Sequence, residues 1–178
     1  MTRLDSAIRR LTSQRAVLDW AAGQVISKPG LILELGLGNG RTYDHLRKRL
    51  PEREIYVFER ALAAHPDCLP PPELLVLGDA MQTLPAFVER KGAHSAVLIH
   101  ADIGSGDEEE NHRLARRLSP VIDQPLALDG LFVADQIFDL PDCIDVSSQA
   151  GIAPGRYFAF QRPGPSRTVA IAPRIRLR

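Results

Sequence analysis

A single α/β domain around a mostly parallel sheet is the fold class this sequence predicts, and three observations predict it. Five short apolar runs recur along the chain, alternating with segments of helical spacing, the pattern of parallel strands covered on both faces. The first run is closed at once by a glycine-rich turn, Gly36-Leu37-Gly38-Asn39-Gly40. Toward the end the alternation stops, and two apolar runs are joined by Pro163-Gly164-Pro165-Ser166, which reads as an antiparallel hairpin.

Each element has its own signal. Leu4, Ile8, Leu11, Ala16, Leu18 and Ala22 fall at helical spacing, so residues 1–28 read as an N-terminal helical segment, with the helices ending near Gly23 and Trp20 packed against the domain. After the break at Lys28-Pro29-Gly30 comes the first strand, Leu31–Leu35. A helix over Thr42–Leu50 is stopped by Pro51, and Ile55–Phe58 forms a second strand ending at Glu59. Four prolines between His65 and Glu73 leave room only for short helical turns. Leu74–Leu77 is the third strand, ending at Gly78-Asp79, and Met81–Arg90 is the next helix. Ala96–Ile99 is the fourth strand, ending at His100-Ala101-Asp102. The acids Asp107 to Glu110 then start a helix running to about Leu118, where negative charge complements the helix dipole. Leu131–Ala134 is the fifth strand, and Tyr157–Phe160 with Thr168–Ile171 form the terminal hairpin.

Bulk properties bound the function. The 178 residues form one domain, 1–178, with no repeat or linker to divide it. Hydrophobic residues at 44% and charged residues at 25% are ordinary for a soluble protein, and no apolar run is long enough to span a membrane. The start of the chain carries no apolar signal core, so a cytoplasmic location is expected. Cys68 and Cys143 lack metal-site spacing and read as reduced thiols. Net charge is zero, so no strong steering of nucleic acid is expected. The arginines after Asp145 (156, 162, 167, 174, 176 and 178) could hold an acidic substrate, but more simply protect the edge of the last strands.

The residues that carry chemistry begin at Glu34. Glycines at 36, 38 and 40 let the chain turn sharply and let a ligand approach the backbone. A dinucleotide fingerprint would need a third glycine at position 41, which is Arg41. That substitution argues against a nucleotide-dependent oxidoreductase. Glu59 ends the second strand, where a carboxylate can accept hydrogen bonds from both hydroxyls of a ribose.

Glu34 through Gly40 resembles the E/D-x-G-x-G-x-G signature of class I S-adenosylmethionine-dependent methyltransferases. The resemblance extends from about Pro29 to Arg174 and implies a Rossmann-like domain. Its sheet would have seven strands ordered 3-2-1-4-5-7-6, the last entry antiparallel. It implies that Glu34, Gly36, Leu37, Gly38, Asn39, Gly40 and Thr42 cradle the amino-acid end of S-adenosyl-L-methionine. Glu59 and Arg60 would meet the ribose, Asp79 and Ala80 the adenine, and Asp102 the methyl-donor cleft. His100 and Asp102 are then the candidate catalytic residues, His100 as a base or as a satisfied strand-end histidine.

Ile99–Asp102 with Leu131–Gln136 is also similar to the metal-dependent catechol-type O-methyltransferases, which would put magnesium on Asp102, Asp135 and Gln136. All three are oxygen donors suited to a hard cation. Gln136 in place of the family's asparagine, and the short chain, argue against it. The expected activity is methyl transfer to a small-molecule acceptor. The alternatives are an S-adenosylmethionine-binding module with little activity of its own and a metal-dependent O-methyltransferase. Methylation of nucleic acid is disfavoured by the missing Asn/Asp-Pro-Pro-aromatic motif. A homodimer is left open, and the acceptor is not legible.

Overall fold

The computed structural model describes residues 2–105, 107–151 and 155–164. Seven strands form one sheet: β1 (Leu31–Leu35), β2 (Ile55–Glu59), β3 (Leu75–Leu77), β4 (Ala96–Ala101), β5 (Leu126–Ala134), β6 (Ile144–Asp145) and β7 (Phe158–Gln161). Their order is β3-β2-β1-β4-β5-β7-β6. The first five are parallel, and β7 enters antiparallel between β5 and β6. Four helices accompany them: α1 (Arg3–Val25), α2 (Arg41–Arg49), α3 (Ala80–Lys91) and α4 (Glu108–Asp123).

Strand alternation divides the apolar residues between two cores. On one face Ile32, Val57, Leu98 and Val133 pack under Val17, Leu18, Ala21 and Val25 of α1 and Leu46 of α2, with Trp20 partly buried beside them. On the other, Leu33, Leu35, Phe58, Ile99 and Phe132 pack under Leu84 and Phe87 of α3 and Ala115, Leu118 and Ile122 of α4. The same alternation turns Glu34 and His100 toward the α1–α2 face, side by side, because Glu34 of β1 is in register with His100 of β4.

Several boundaries move. The N-terminal segment is one helix, α1, whose capping box joins Thr2 and Asp5. The proline-rich stretch holds two one-turn 3₁₀ helices, Pro66–Cys68 and Pro72–Leu74. Helix α4 continues through Pro120 to Asp123, five residues past its expected end near Leu118. Strand β5 starts five residues before the expected Leu131. Asp129 with φ +57° and Gly130 interrupt the apolar pattern, although backbone pairing resumes on both sides. The antiparallel partner of β7 at the sheet's end is the two-residue β6, which no apolar run announces. The expected hairpin strand Thr168–Ile171 lies outside the described residues. Arg162 is buried and binds the Asp123 carboxylate and carbonyl, riveting the C-terminal segment to α4. Both cysteines are free thiols.

Candidate functional site

The carboxyl ends of β1 to β4 open into a cleft at the topological switch point, where β2 and β4 flank β1. It has two chambers. One, of about 210 Å³, is lined by Phe58, Glu59, Asp79, Ala80, Leu114 and Leu118 among others. The second, of about 220 Å³, is lined by Arg10, Leu11, Gln14, Asn39, Arg41 and Thr42. Gly36, Gly38, Asp102 and Gly104 line both and form the junction.

The glycine loop is shaped by close packing. Gly36 has φ +86°, and a Cβ there would stand 2.5 Å from the Asp102 carbonyl oxygen, so only glycine lets the ends of β1 and β4 approach. Gly40, with φ +84°, abuts Cys68 and Ala64, and its carbonyl accepts the Asp44 N–H in the first turn of α2. It lines neither chamber and packs against the proline-rich segment.

Glu59 holds the face of the loop. One carboxylate oxygen accepts the N–H groups of Leu37 (2.7 Å) and Gly38 (3.0 Å), and the other those of Arg60 (2.7 Å) and Ala61 (3.1 Å). Partial burial pushes its pKa up, but these four amides outweigh it and keep the carboxyl below its ordinary value. Glu59 still borders the first chamber. Asp79 caps α3 by accepting the Met81 N–H at 2.9 Å through Oδ1. Its side chain is at the chamber wall, with Ala80 and Arg60 beside it.

Glu34 is on the other side of the loop. It is 0% exposed and lines neither chamber, and its partners lie within the core. Alternation along β1 points it beneath α2, where the Thr42 hydroxyl donates to Oε1 and His100 Nδ1 lies 2.7 Å from Oε2. His100, the expected base, is likewise 0% exposed, and its Nε2 lies 2.9 Å from the Tyr157 hydroxyl. Both of its ring nitrogens are thus engaged within the core. Burial works against the imidazolium, but the neighbouring Glu34 carboxylate, with Asp102 and Asp135 beyond, raises the His100 pKa above its usual value. Burial drives the Tyr157 phenol well above its usual pKa, so it stays protonated.

From Tyr157 the chain of hydrogen bonds returns to the cleft. The Gln14 amide donates to Tyr157 Oη at 2.9 Å and to Asp102 Oδ2 at 2.6 Å. Sequence reading missed both Gln14 and Tyr157. They are 143 positions apart, and only the fold brings them together.

The three residues of the magnesium reading do not present three oxygens to one point. Asp102 is engaged by Gln14. Asp135 Oδ2 accepts the Gly104 N–H at 3.2 Å, and Gln136 turns its NH₂ group, not its oxygen, to the same atom at 3.3 Å. A side chain at Gly104 would collide with both Asp135 and Gln136. Burial first, and then the nearby Asp102 charge, push the Asp135 carboxyl up to about 6. Among the described residues no group of three or more His, Cys, Asp or Glu side chains is placed to hold a metal.

Comparison with known proteins agrees with this architecture. A sequence model of the S-adenosyl-L-methionine methyltransferase family matches residues 1–162. A solved S-adenosyl-L-methionine methyl transferase from Silicibacter pomeroyi is 46% identical, covers 91% of this chain and 99% of its own, and superposes with a TM-score of 0.86. More distant are the fibrillarin pre-rRNA processing protein of Methanococcus jannaschii and a 1,6-didemethyltoxoflavin-N1-methyltransferase of Burkholderia thailandensis. The first is 17% identical over 78% of this chain and 69% of its own, with a TM-score of 0.49. The second is 13% identical over 85% and 78%, with a TM-score of 0.45. No curated protein matches. No helix of the described residues is long and apolar enough to cross a membrane. With its glycine loop, its strand order, the family model over residues 1–162 and the Silicibacter match, the chain belongs to the S-adenosyl-L-methionine methyltransferase family and is an S-adenosyl-L-methionine-dependent enzyme of Rossmann-like α/β fold.

Proposed function

We propose that this enzyme methylates a small molecule, holding the adenosine of its methyl donor in the first chamber and the methionyl end in the second. The observation that carries the reading is the contrast between the chambers. The first has apolar walls from Phe58, Ala80, Ile103, Leu114 and Leu118, suited to a flat base, with the Glu59 carboxylate at its edge for the ribose. The second faces one carboxylate, Asp102, and two guanidinium groups, Arg10 and Arg41, the charge pattern that complements an ammonium and a carboxylate on one ligand.

S-adenosyl-L-methionine supplies a methyl group already activated on a sulfonium, so the chain's task is chiefly positioning. Asp102 orients the ammonium from the junction, and Arg10 and Arg41 hold the carboxylate from the roof and from the first residue of α2. The acceptor approaches beside Gly104 under the N-terminal half of α1. The zero net charge favours a small-molecule acceptor over nucleic acid.

Two experiments test this. Calorimetric titration should show Arg10→Ala weakening S-adenosylhomocysteine about tenfold while leaving 5′-methylthioadenosine, which lacks the amino-acid group, unchanged. Equal losses for both would remove the methionyl assignment. Transfer of labelled methyl should be detected on members of a panel of small hydroxy and amino compounds. Label only on RNA or protein would overturn the small-acceptor reading.

A further inference from the structure

The geometry points to Gln14 and Tyr157 as positioning residues for methyl transfer, which fix the Asp102 carboxylate at the junction of the two chambers through a buried relay. This rests on the proposed placement of the methionyl end beside Asp102.

The relay draws its members from separate parts of the chain. Thr42 of α2 donates to Glu34 of β1, and Glu34 meets His100 of β4. His100 meets Tyr157 just before β7, and Gln14 of α1 donates to both Tyr157 and Asp102. Gln14, Glu34, Thr42, His100 and Tyr157 are all buried, and Gln14 and Thr42 also edge the second chamber.

Hydrogen accounting gives the relay a direction. Both amide hydrogens of Gln14 are used, one on Asp102 Oδ2 and one on Tyr157 Oη. With His100 as the neutral Nδ1–H tautomer, the Tyr157 hydroxyl donates to His100 Nε2 and Nδ1–H donates to Glu34. Every proton has an acceptor, and the series ends on two carboxylates. Glu34 is sealed in the core, whereas Asp102 borders the cleft. The Gln14 amide is thereby held in one orientation, and the Asp102 carboxylate with it.

Gln14 is also the first buried residue of α1. The preceding turns stand largely exposed, Leu4 at 69% and Ile8 at 54%, although Arg10 and Leu11 line the second chamber. The bond from Gln14 to Asp102 therefore pins the roof of the chamber to its floor.

The experiment compares S-adenosylhomocysteine with 5′-methylthioadenosine on four proteins, the wild type and Gln14→Leu, Tyr157→Phe and Asp102→Asn. Calorimetric affinities are read alongside thermal stability. Expected is a loss of about tenfold for S-adenosylhomocysteine in Gln14→Leu and about threefold in Tyr157→Phe, with 5′-methylthioadenosine unchanged in both. Asp102→Asn should show the same selective loss at least as strongly. If Asp102→Asn is selective and Gln14→Leu is not, the relay does not position Asp102 and the inference is overturned. If Asp102→Asn itself lacks selectivity, the underlying placement of the methionyl end fails instead. Parallel losses for both ligands in Gln14→Leu would mark a general loosening of the fold and also overturn it. Should Gln14→Leu not fold, Tyr157→Phe decides by the same ligand ratio.

Discussion

Two carboxylates flank the same glycine loop, and their surroundings could hardly differ more. Beneath the loop, Glu34 is sealed from solvent and committed to Thr42 and His100. On its face, Glu59 gathers four backbone amides and still borders the cleft. The difference teaches that one glycine loop can carry acids in two settings. The acid that leads it supports the loop from below, while Glu59, at the end of the next strand, borders the cleft where we place the cofactor ribose.

That contrast breaks most visibly at Glu34. Glu34→Ala strands a buried hydroxyl and a buried imidazole, which costs about 3–5 kcal/mol, so the melting temperature should fall by more than about 8 °C. Any protein that remains folded should bind S-adenosylhomocysteine far better than its stability suggests. Little loss of stability with complete loss of binding would reverse the assigned roles.

Glu59→Ala should do the opposite. Affinity for S-adenosylhomocysteine is expected to fall at least about 30-fold, and stability at neutral pH by about 2 kcal/mol, as the loop amides lose their acceptor. The sign with pH follows from the lowered pKa. The stability Glu59 provides is present above the ordinary carboxylate range and is lost as pH falls through its depressed value. Melting curves of wild type and variant should therefore converge as the pH falls below the ordinary carboxylate range.

A third acid sharpens the comparison. Asp135 is raised to about 6, so its charged form is the disfavoured one, and the native state is strained by it above that pH. Asp135→Asn imitates the protonated acid and should raise the melting temperature at pH 8 by a few degrees, on the order of 4 °C. At pH 4 the difference should vanish. A loss of stability at pH 8 would mean that the charge is needed there.

The smallest effect is expected at Asp79. Asparagine is as good a helix cap as aspartate, so Asp79→Asn should leave the melting temperature within about 1 °C. It replaces a carboxylate oxygen at the wall of the chamber where we place the adenine with an NH₂ group, and affinity should drop about three- to tenfold. An unchanged affinity would remove Asp79 from the adenine contacts.

What the sequence made legible was what rests on local pattern. The apolar runs from Leu31 to Ala134 gave the parallel strands, and the glycines after Leu35 with the acids ending the next strands marked the cleft. What stayed hidden depends on register and long-range closure. That Glu34 lies beside His100 follows from the pairing of two strands 66 residues apart, which no local spacing encodes. Gln14 reads as one polar residue on a helix, and Tyr157 as the start of an apolar run. Their shared hydrogen bond exists only once the C-terminal segment returns across the sheet. Strand β6 is two residues long, too short for any periodicity to declare it.

The central claim is that the Glu59 side of the loop, and not the Glu34 side, receives the cofactor. A crystal structure of this chain with S-adenosylhomocysteine tests it most directly. The account predicts both ribose hydroxyls donating to the Glu59 carboxylate at about 2.5–2.8 Å, with Glu34 still enclosed by Thr42 and His100. A ribose bound away from Glu59, or Glu34 turned out to meet the ligand, would contradict it.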